Sequence, residues 1–384
     1  MPKPIPFYDL KLSPATRRAV DRVLKSGWLT TGPVSAEFEQ QFGKRLGAKH
    51  TVAVNSATSG ITLALKVAGV SRGSEVITSP FSFVAGVECI LNCGAKPVLV
   101  DVDPDTLNIN PSLVEKAISR RTAAILSVDI AGYPCDYPSL SKIAHKHPVP
   151  LISDSAHAFG ATVKGKSIPH WTDLSVFSFH ATKNLTSGEG GMVASRDRRL
   201  VDQIRLWSKH GMTASAFERK KSGGWSYDVA EPGFKANMSD ILAAVGLGEL
   251  ATYEKRQEKR EQLALRYVAN LAPAEEYLLT PALQEGFHHA WHLFIVRLNL
   301  KALKCSRNQV VDLLAKAGIG SSVHYRPIHT LSFARTYPEL RRKLAHAEKA
   351  GESVLSLPLY PLLKPGDIDR VCDQLIAVLR RYSR

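Results

Sequence analysis

The chain has 384 residues, of which 44% are hydrophobic and 22% charged, the composition of an ordinary folded protein with room for a large core and more than one domain. Its net charge of +15, from 50 Lys and Arg against 35 Asp and Glu, favours anionic partners. No helix-turn-helix, zinc-finger spacing or aromatic-and-basic RNA motif accompanies that charge, so nucleic acid is not the expected partner. The segment Met1–Phe7 lacks the apolar run of a signal peptide, and Glu88, Asn92 and Lys96 interrupt the best candidate for a membrane span. Five scattered cysteines suit a reducing compartment, and a cytoplasmic protein is expected. Cys89 and Cys93 sit four apart on a predicted helix and read as small core residues.

Taken in order, the chain predicts a helix over Asp9–Ser26, with Ser13-Pro14 as cap and first turn. Gly27-Trp28-Leu29-Thr30-Thr31-Gly32-Pro33 breaks it, either as a turn or as a segment over a pocket. A second helix follows at Val34–Leu46. Strands at Thr51–Val54, Glu75–Thr78, Pro97–Asp101, Thr122–Ser127 and Val149–Ile152 then alternate with helices at Ile61–Val67, Ser82–Asn92, Pro111–Ile118 and Tyr137–Lys146. That alternation implies a mainly parallel sheet covered on both faces, an α/β fold. Asn55–Gly60, small and hydroxylated between a strand and a helix, suits a phosphate at a helix N-terminus or a plain helix cap. Either aromatic of Phe81-Ser82-Phe83 can lie against a flat ligand or pack into the core.

Two apolar runs then each deliver a polar residue at a strand end. Val149–Ile152 leads to Asp154, and Leu174–Phe179 leads to Lys183. Open α/β sheets place ligands at such ends. An Asp and a Lys there match the needs of pyridoxal phosphate, whose aldehyde joins a lysine amine and whose ring nitrogen a carboxylate keeps protonated. A structural Asp–Lys ion pair is the alternative from these two residues alone.

Met192–Ser195 and a basic helix, Arg198–Ser208, come next, followed by a long polar loop over Gly211–Lys235. Asn237-Met238-Ser239-Asp240 caps one long predicted helix running to Ala264, whose charged half, Glu254–Glu261, reads as a solvated face. From about Leu265 the pattern changes. Strands are predicted at His289–Leu298 and Gly320–Tyr325, an extended run at Ser353–Leu359, and helices at Ser306–Ala317 and Pro365–Tyr382. The expected organisation is a large domain over residues 1–250 and a smaller α+β domain over 251–384.

Several of these segments, in this order, resemble the DegT/DnrJ/StrS family of pyridoxal-phosphate-dependent nucleotide-sugar aminotransferases. The likeness is carried by Gly27–Pro33, Asn55–Gly60, Phe81–Ala85, Asp103–Asn110, Asp154–Gly160, Phe177–Asn184, Gly188–Met192, Tyr227–Asp240 and Leu355–Leu359, and covers nearly the whole chain. It implies the aspartate aminotransferase-like (type I) fold, with Lys183 as the Schiff-base lysine and Asp154 as the partner of the ring nitrogen. It also implies His157 near the ring hydroxyl, Ala57, Thr58 and Ser178 at the phosphate, and Phe83 stacked on the ring. Asn237 would cross a homodimer interface to the neighbouring subunit's cofactor, making the active sites shared. Trp28, Thr30, His324, Tyr325 and His329 are substrate candidates, and Arg219, Lys220 and Lys221 are candidates to guide a diphosphate. Where relatives often carry His-Leu/Tyr-Gly after a strand, this chain has Asp129-Ile130-Ala131-Gly132, a change expected to alter charge near the pocket and with it substrate preference.

The resemblance implies transfer of an amino group from glutamate or aspartate, through pyridoxamine phosphate, to a keto group on a nucleotide-linked sugar. Lys183 argues against the same-fold dehydratases that replace this lysine with His. A type I enzyme acting on amino acids alone and a regulatory protein keeping the fold are two further competing possibilities.

Overall fold

The structure, a computed structural model, describes residues 3–384 except Ser215 and Gly224; Met1 and Pro2 of the amino-terminal reading and those two members of the 211–235 loop lie outside it. The first helix, α1 (Pro14–Ser26), starts later than the sequence predicts. A residue before proline is driven out of the helical region, so Ser13 stays extended and caps instead, its Oγ accepting the Thr16 N–H at 3.1 Å. Helix α2 (Pro33–Leu46) has no local side-chain cap. The buried Asp240 carboxylate supplies one from a distance, accepting the N–H groups of Gly32 at 2.8 Å and Ser35 at 2.9 Å. That contact ties the Gly27–Pro33 segment to the far part of the chain.

The predicted alternation is present as β1 (His50–Val54), α3 (Ala57–Val67), β2 (Glu75–Thr78), α4 (Ala85–Asn92), β3 (Lys96–Leu99), α5 (Pro111–Ala117), β4 (Thr122–Val128), α6 (Tyr137–Lys146) and β5 (Leu151–Asp154). A small hairpin, β6 (Thr162–Val163) and β7 (Lys166–Ser167), precedes β8 (Leu174–Ser178), β9 (Gly191–Ser195) and α7 (Arg198–Trp207). The seven-stranded sheet has the order β1-β9-β8-β5-β4-β2-β3. Strands β3, β2, β4, β5 and β8 pair in parallel, while β9 lies antiparallel between β8 and β1. Both β2 and β9 are buried at every position, as expected of strands covered on two faces.

The long helix expected from Ser239 to Ala264 is two helices. After the short α8 (Ala216–Ser222) come α9 (Asp240–Leu250) and α10 (Tyr253–Leu271), separated at Ala251-Thr252. The break turns Tyr253 inward, where its hydroxyl donates to the Phe159 carbonyl at 2.6 Å. Gly160, at φ +93°, leaves the space for it: a Cβ there would stand 2.3 Å from the Tyr253 hydroxyl. The charged face of α10 is also not wholly solvated, since Gln257 and Arg260 are buried.

The remainder comprises β10 (Leu278–Leu279), β11 (Phe287–His288), β12 (Phe294–Leu298), α11 (Arg307–Lys316), α12 (Ala345–Ser353), β13 (Val354–Leu357) and α13 (Pro365–Arg381). β10, β12 and β13 form an antiparallel sheet, and β11 extends the β6–β7 hairpin. The strand expected from His289 begins only at Phe294. Gly320–Tyr325 is not a sheet strand but a single bridge, Ser322 to Ser356. Ile5 joins residues from Leu263 onward in one apolar core. A second cluster joins Phe81 and Leu99 of the large-sheet region to Leu293, Ile328 and Ala347, fixing the later part of the chain against the carboxyl edge of the sheet.

Candidate active site

Strands β4, β5 and β8 end side by side, with Val128 in register with Asp154 and Asp154 with Val176. The N-terminus of α3 meets the same edge, because β1 runs parallel to β8 with β9 between them. A cavity of about 370 Å³ lies there, and its walls include Ala57, Thr58, Asp154, His157, Ser178 and Lys183. That volume falls within the range of small-molecule sites. Phe83, His324 and Tyr325 complete the wall. Phe83 is 62% exposed, with its ring 6.4 Å from that of Tyr325, an open aromatic suited to covering a flat ring, whereas Phe81 is fully buried core.

Ser56 caps α3, its Oγ accepting the Ser59 N–H at 3.1 Å. The preceding N–H groups of a helix lack partners within it and attract anions, so Ala57 and Thr58 present a phosphate cradle. β9 closes behind that cradle. At Gly191 a Cβ would stand 2.7 Å from the Ala57 nitrogen, so only glycine lets the two backbones approach.

Burial sets the charge states of the site. It pulls the Lys183 amine down to about 8, partly offset by the negative charge of Asp154. It pushes the Asp154 carboxyl up, against a hydrogen bond from the Ala156 N–H and the positive charge of Lys183. Burial, then the Lys183 charge, holds His157 well below its usual range and His324 at about 4. Both imidazoles are therefore neutral near pH 7, and the Lys183 amine and the Asp154 carboxyl influence each other's charge within one cavity. His157 Nε2 lies 3.2 Å from the Tyr325 hydroxyl, while its Nδ1 is buried with no partner among the described residues. An orphaned buried nitrogen beside a lysine and a carboxylate fits a bound polar ring, since such atoms are otherwise costly.

The fit to pyridoxal phosphate is thus physical as well as positional: a cradle for the phosphate, an amine for the aldehyde, a carboxylate for the ring nitrogen. Because only a neutral amine can attack an aldehyde, capture of the cofactor by the cofactor-free protein should accelerate about tenfold per pH unit below pH 8 and level off above it. Stopped-flow absorbance across roughly pH 6–10 checks this prediction; a rate still climbing about tenfold per unit at pH 10, as for an ordinary lysine, would contradict it.

The other sequence candidates lie elsewhere. Trp28 is half-buried against Phe217, with ring centroids 5.2 Å apart, and the Lys220 ammonium stands 5.1 Å from its ring. Thr30 is exposed. Asn237 holds Lys235 Nζ at 2.7 Å and donates to Thr31. Arg219 lies over the Tyr227 ring, and Lys221 is exposed. None of these lines the chain's own cavity. His329 is also outside it, with Nε2 3.2 Å from Glu348 Oε1. Asp129 is fully buried and is not itself part of the cavity wall, although its charge and that of Asp154, which does line the cavity, act on each other.

Some residues of the site were not anticipated. Val128, His180, Glu189 and Gly190 line the cavity, and the His292 ring packs 4.4 Å from that of His157. Asn184, immediately after Lys183, donates to the Ala290 carbonyl at 2.6 Å and to Gln257 Oε1 at 3.1 Å. A strand-end count finds Asp154 and Lys183, but no local pattern reveals that α10 braces the lysine loop.

The sequence profile of the DegT/DnrJ/EryC1/StrS aminotransferase family matches residues 11–376. The spore coat polysaccharide biosynthesis protein SpsC of Bacillus subtilis (strain 168) is 38% identical over 364 residues, which is 94% of this chain and 93% of that protein. The sugar aminotransferase Spr1654 from Streptococcus pneumoniae, itself named as putative and solved in PLP and PMP forms, superposes with a TM-score of 0.91 at 32% identity, covering 98% of this chain and 99% of that one. Helicobacter pylori PseC, an aminotransferase involved in the biosynthesis of pseudoaminic acid, gives a TM-score of 0.91 at 31% identity over 99% of this chain and 100% of its own. With the site's geometry and a match over nearly its full length, the chain belongs to the DegT/DnrJ/EryC1/StrS aminotransferase family and has the type I fold of pyridoxal-phosphate-dependent transferases.

Proposed function

We propose that this protein is a pyridoxal-phosphate-dependent aminotransferase that moves an amino group from an amino acid to a keto group of a nucleotide-linked sugar, in the biosynthesis of amino-sugar-containing polysaccharides. The observation that carries this reading is the convergence of Lys183, Asp154 and the unpartnered His157 Nδ1 in one cavity at the carboxyl edge of the sheet. Pyridoxal phosphate, bound there, supplies an electron sink for the donor's α-carbon and a temporary carrier for its amino group.

The chain's own residues do the rest. Lys183 Nζ would hold the cofactor's aldehyde and, as a free amine, would carry a proton between the donor's α-carbon and the cofactor's C4′. Its depressed affinity for protons, at about 8, suits both directions of that transfer. Asp154 keeps the ring nitrogen protonated from a buried position, where its charge acts strongly. His157 Nδ1 meets the ring hydroxyl, with the Tyr325 hydroxyl fixing the imidazole from the other side. Ala57, Thr58 and Ser178 hold the phosphate, and Phe83 covers the ring.

His324 and Tyr325 face the sugar from residues after 251, the part of the chain we assign to a smaller domain. Glutamate is the expected donor. The same reading makes the protein a homodimer with shared active sites: Asn237, Trp28 and Thr30, which lie off their own cavity, would serve the partner's, while Arg219, Lys220 and Lys221 would guide the diphosphate. Sedimentation as a monomer would exclude that arrangement.

The decisive experiment incubates the purified protein with pyridoxal phosphate, glutamate and a panel of UDP-, dTDP- and GDP-ketosugars, and follows product mass. Replacement of the keto oxygen by an amine in one nucleotide series is the expected result. Amination of free keto acids only, with every ketosugar unchanged, would sink the sugar assignment while leaving the cofactor chemistry intact.

A further inference from the structure

Behind the cavity lies a second carboxylate that the transfer chemistry does not touch. Asp129 follows β4 as Ser155 follows β5. Their neighbours Val128 and Asp154 line the cavity, so strand alternation turns Asp129 and Ser155 to the opposite face. There Asp129 Oδ1 accepts from the Tyr137 hydroxyl at 2.7 Å and the Cys135 N–H at 3.0 Å, and its Oδ2 from the Ser155 hydroxyl at 2.7 Å. Ser155 Oγ also stands 2.9 Å from Ser153 Oγ. Asp129, Tyr137, Ser153 and Ser155 are all at most 1% exposed.

The connections close around Asp154. Ser153 and Ser155 flank it in the chain, and the Asp129 N–H donates to the Asp154 carbonyl at 3.1 Å. Three residues on, Gly132 at φ +95° packs under His157: a Cβ there would stand 2.7 Å from the His157 carbonyl oxygen. One turn, Asp129–Gly132, therefore backs both residues that face the cofactor's edge. A carboxylate suits the position because it only accepts hydrogen bonds, and the groups of Tyr137, Cys135 and Ser155 that reach it all donate. Burial pushes Asp129 up to about 6 against those hydrogen bonds, with the Asp154 charge adding to the rise, so the two acids sense each other across the strand ends.

We propose that Asp129 is a positioning residue for amino transfer: through Ser155 and the backbone it fixes the chain on both sides of Asp154 and holds that carboxylate on the cofactor's ring nitrogen. The inference rests on the reading that Asp154 faces the ring. Ser155→Ala cuts the link but leaves the acid and its other two donors. Asp129→Asn keeps the shape and removes the charge. Tyr137→Phe removes a donor on the far side and leaves the link to Ser155 whole.

The test measures the cofactor dissociation constant, the pH titration of the bound cofactor's absorbance, kcat, KM for the donor and Tm for each variant. Ser155→Ala and Asp129→Asn should weaken cofactor binding and lower kcat by about tenfold, the lower end of what outer partners contribute in metal sites, and displace the absorbance titration, with KM for the donor little changed. Tyr137→Phe should lower Tm while keeping cofactor affinity and titration within about twofold of the parent. Should Ser155→Ala and Asp129→Asn lower only Tm, with parental affinity and titration, Asp129 is structural and the proposal is wrong. If Asp129→Asn does not fold, Ser155→Ala decides alone. Asp154→Asn serves as the reference: parental cofactor affinity and titration there would overturn the facing of Asp154 itself, a failure separable from that of Asp129.

Discussion

Lys183→Ala is expected to abolish turnover, by at least about 10³-fold, and to remove the near-visible absorbance of the lysine-bound cofactor. The size follows from the two roles of one amine, as covalent anchor and as proton carrier. Neighbouring groups are poorly placed to replace it. His324 Nδ1 is bound to Ser356 Oγ at 2.8 Å, and His157 Nε2 is engaged by Tyr325. Lys183→Arg separates this account from a purely electrostatic one. A guanidinium preserves the positive charge opposite Asp154 but does not lose its proton near neutral pH and cannot form the imine. It should therefore be as inactive as alanine. Single-turnover assays with preloaded pyridoxamine phosphate check both variants, with thermal melts to confirm folding. Substantial activity in Lys183→Arg would show that charge, not proton transfer, is what the residue provides.

Asp154→Asn should lower kcat by about 10²- to 10³-fold, the scale seen when one preorganised electrostatic partner is removed from a buried site. The substitution is nearly isosteric, and an amide oxygen can still accept the Ala156 N–H that now bonds the carboxylate at 3.1 Å. What disappears is the charge that keeps the ring nitrogen protonated, in a site only 8% exposed where solvent screens little. The effect should fall on proton abstraction from the donor, so a deuterated α-carbon should slow the variant more than the parent. A variant with parental kcat and an unchanged isotope effect would remove Asp154 from the mechanism.

Both residues are legible in the amino-acid sequence because strand periodicity is local. Alternation over Leu174–Phe179 and the apolar run to Ile152 mark two strand ends, and β5 and β8 run to those ends as neighbours. Caps are legible for the same reason: Ser13 and Ser239 bond backbone N–H groups within their own first turns. The errors share a different origin. The Asn237–Ala264 stretch reads as one helix by propensity, yet Tyr253 breaks it to reach a carbonyl 94 positions away in sequence. Gln257 and Arg260 look like solvated charge-face residues and are buried, because Ala290, Trp291 and Leu359 bring carbonyls to them. That the Asp129 side chain lies behind the cavity wall and not in it was not legible, because sequence order does not reveal which face of a strand end a side chain takes.

Sequence alone determined the alternating elements, the order of the site motifs and the Asp154 and Lys183 pair that meets in the cavity, since each is written in spacings shorter than one strand–helix unit. Tertiary structure alone decided that β9 enters the sheet antiparallel, that Asp240 caps α2, that Asn184 is braced from α10, and that Trp28, Thr30, Asn237 and His329 stand away from their own cavity. Those outcomes depend on which distant surfaces meet once apolar area is buried and every buried polar group must find a partner, a condition on the whole chain that no short window contains.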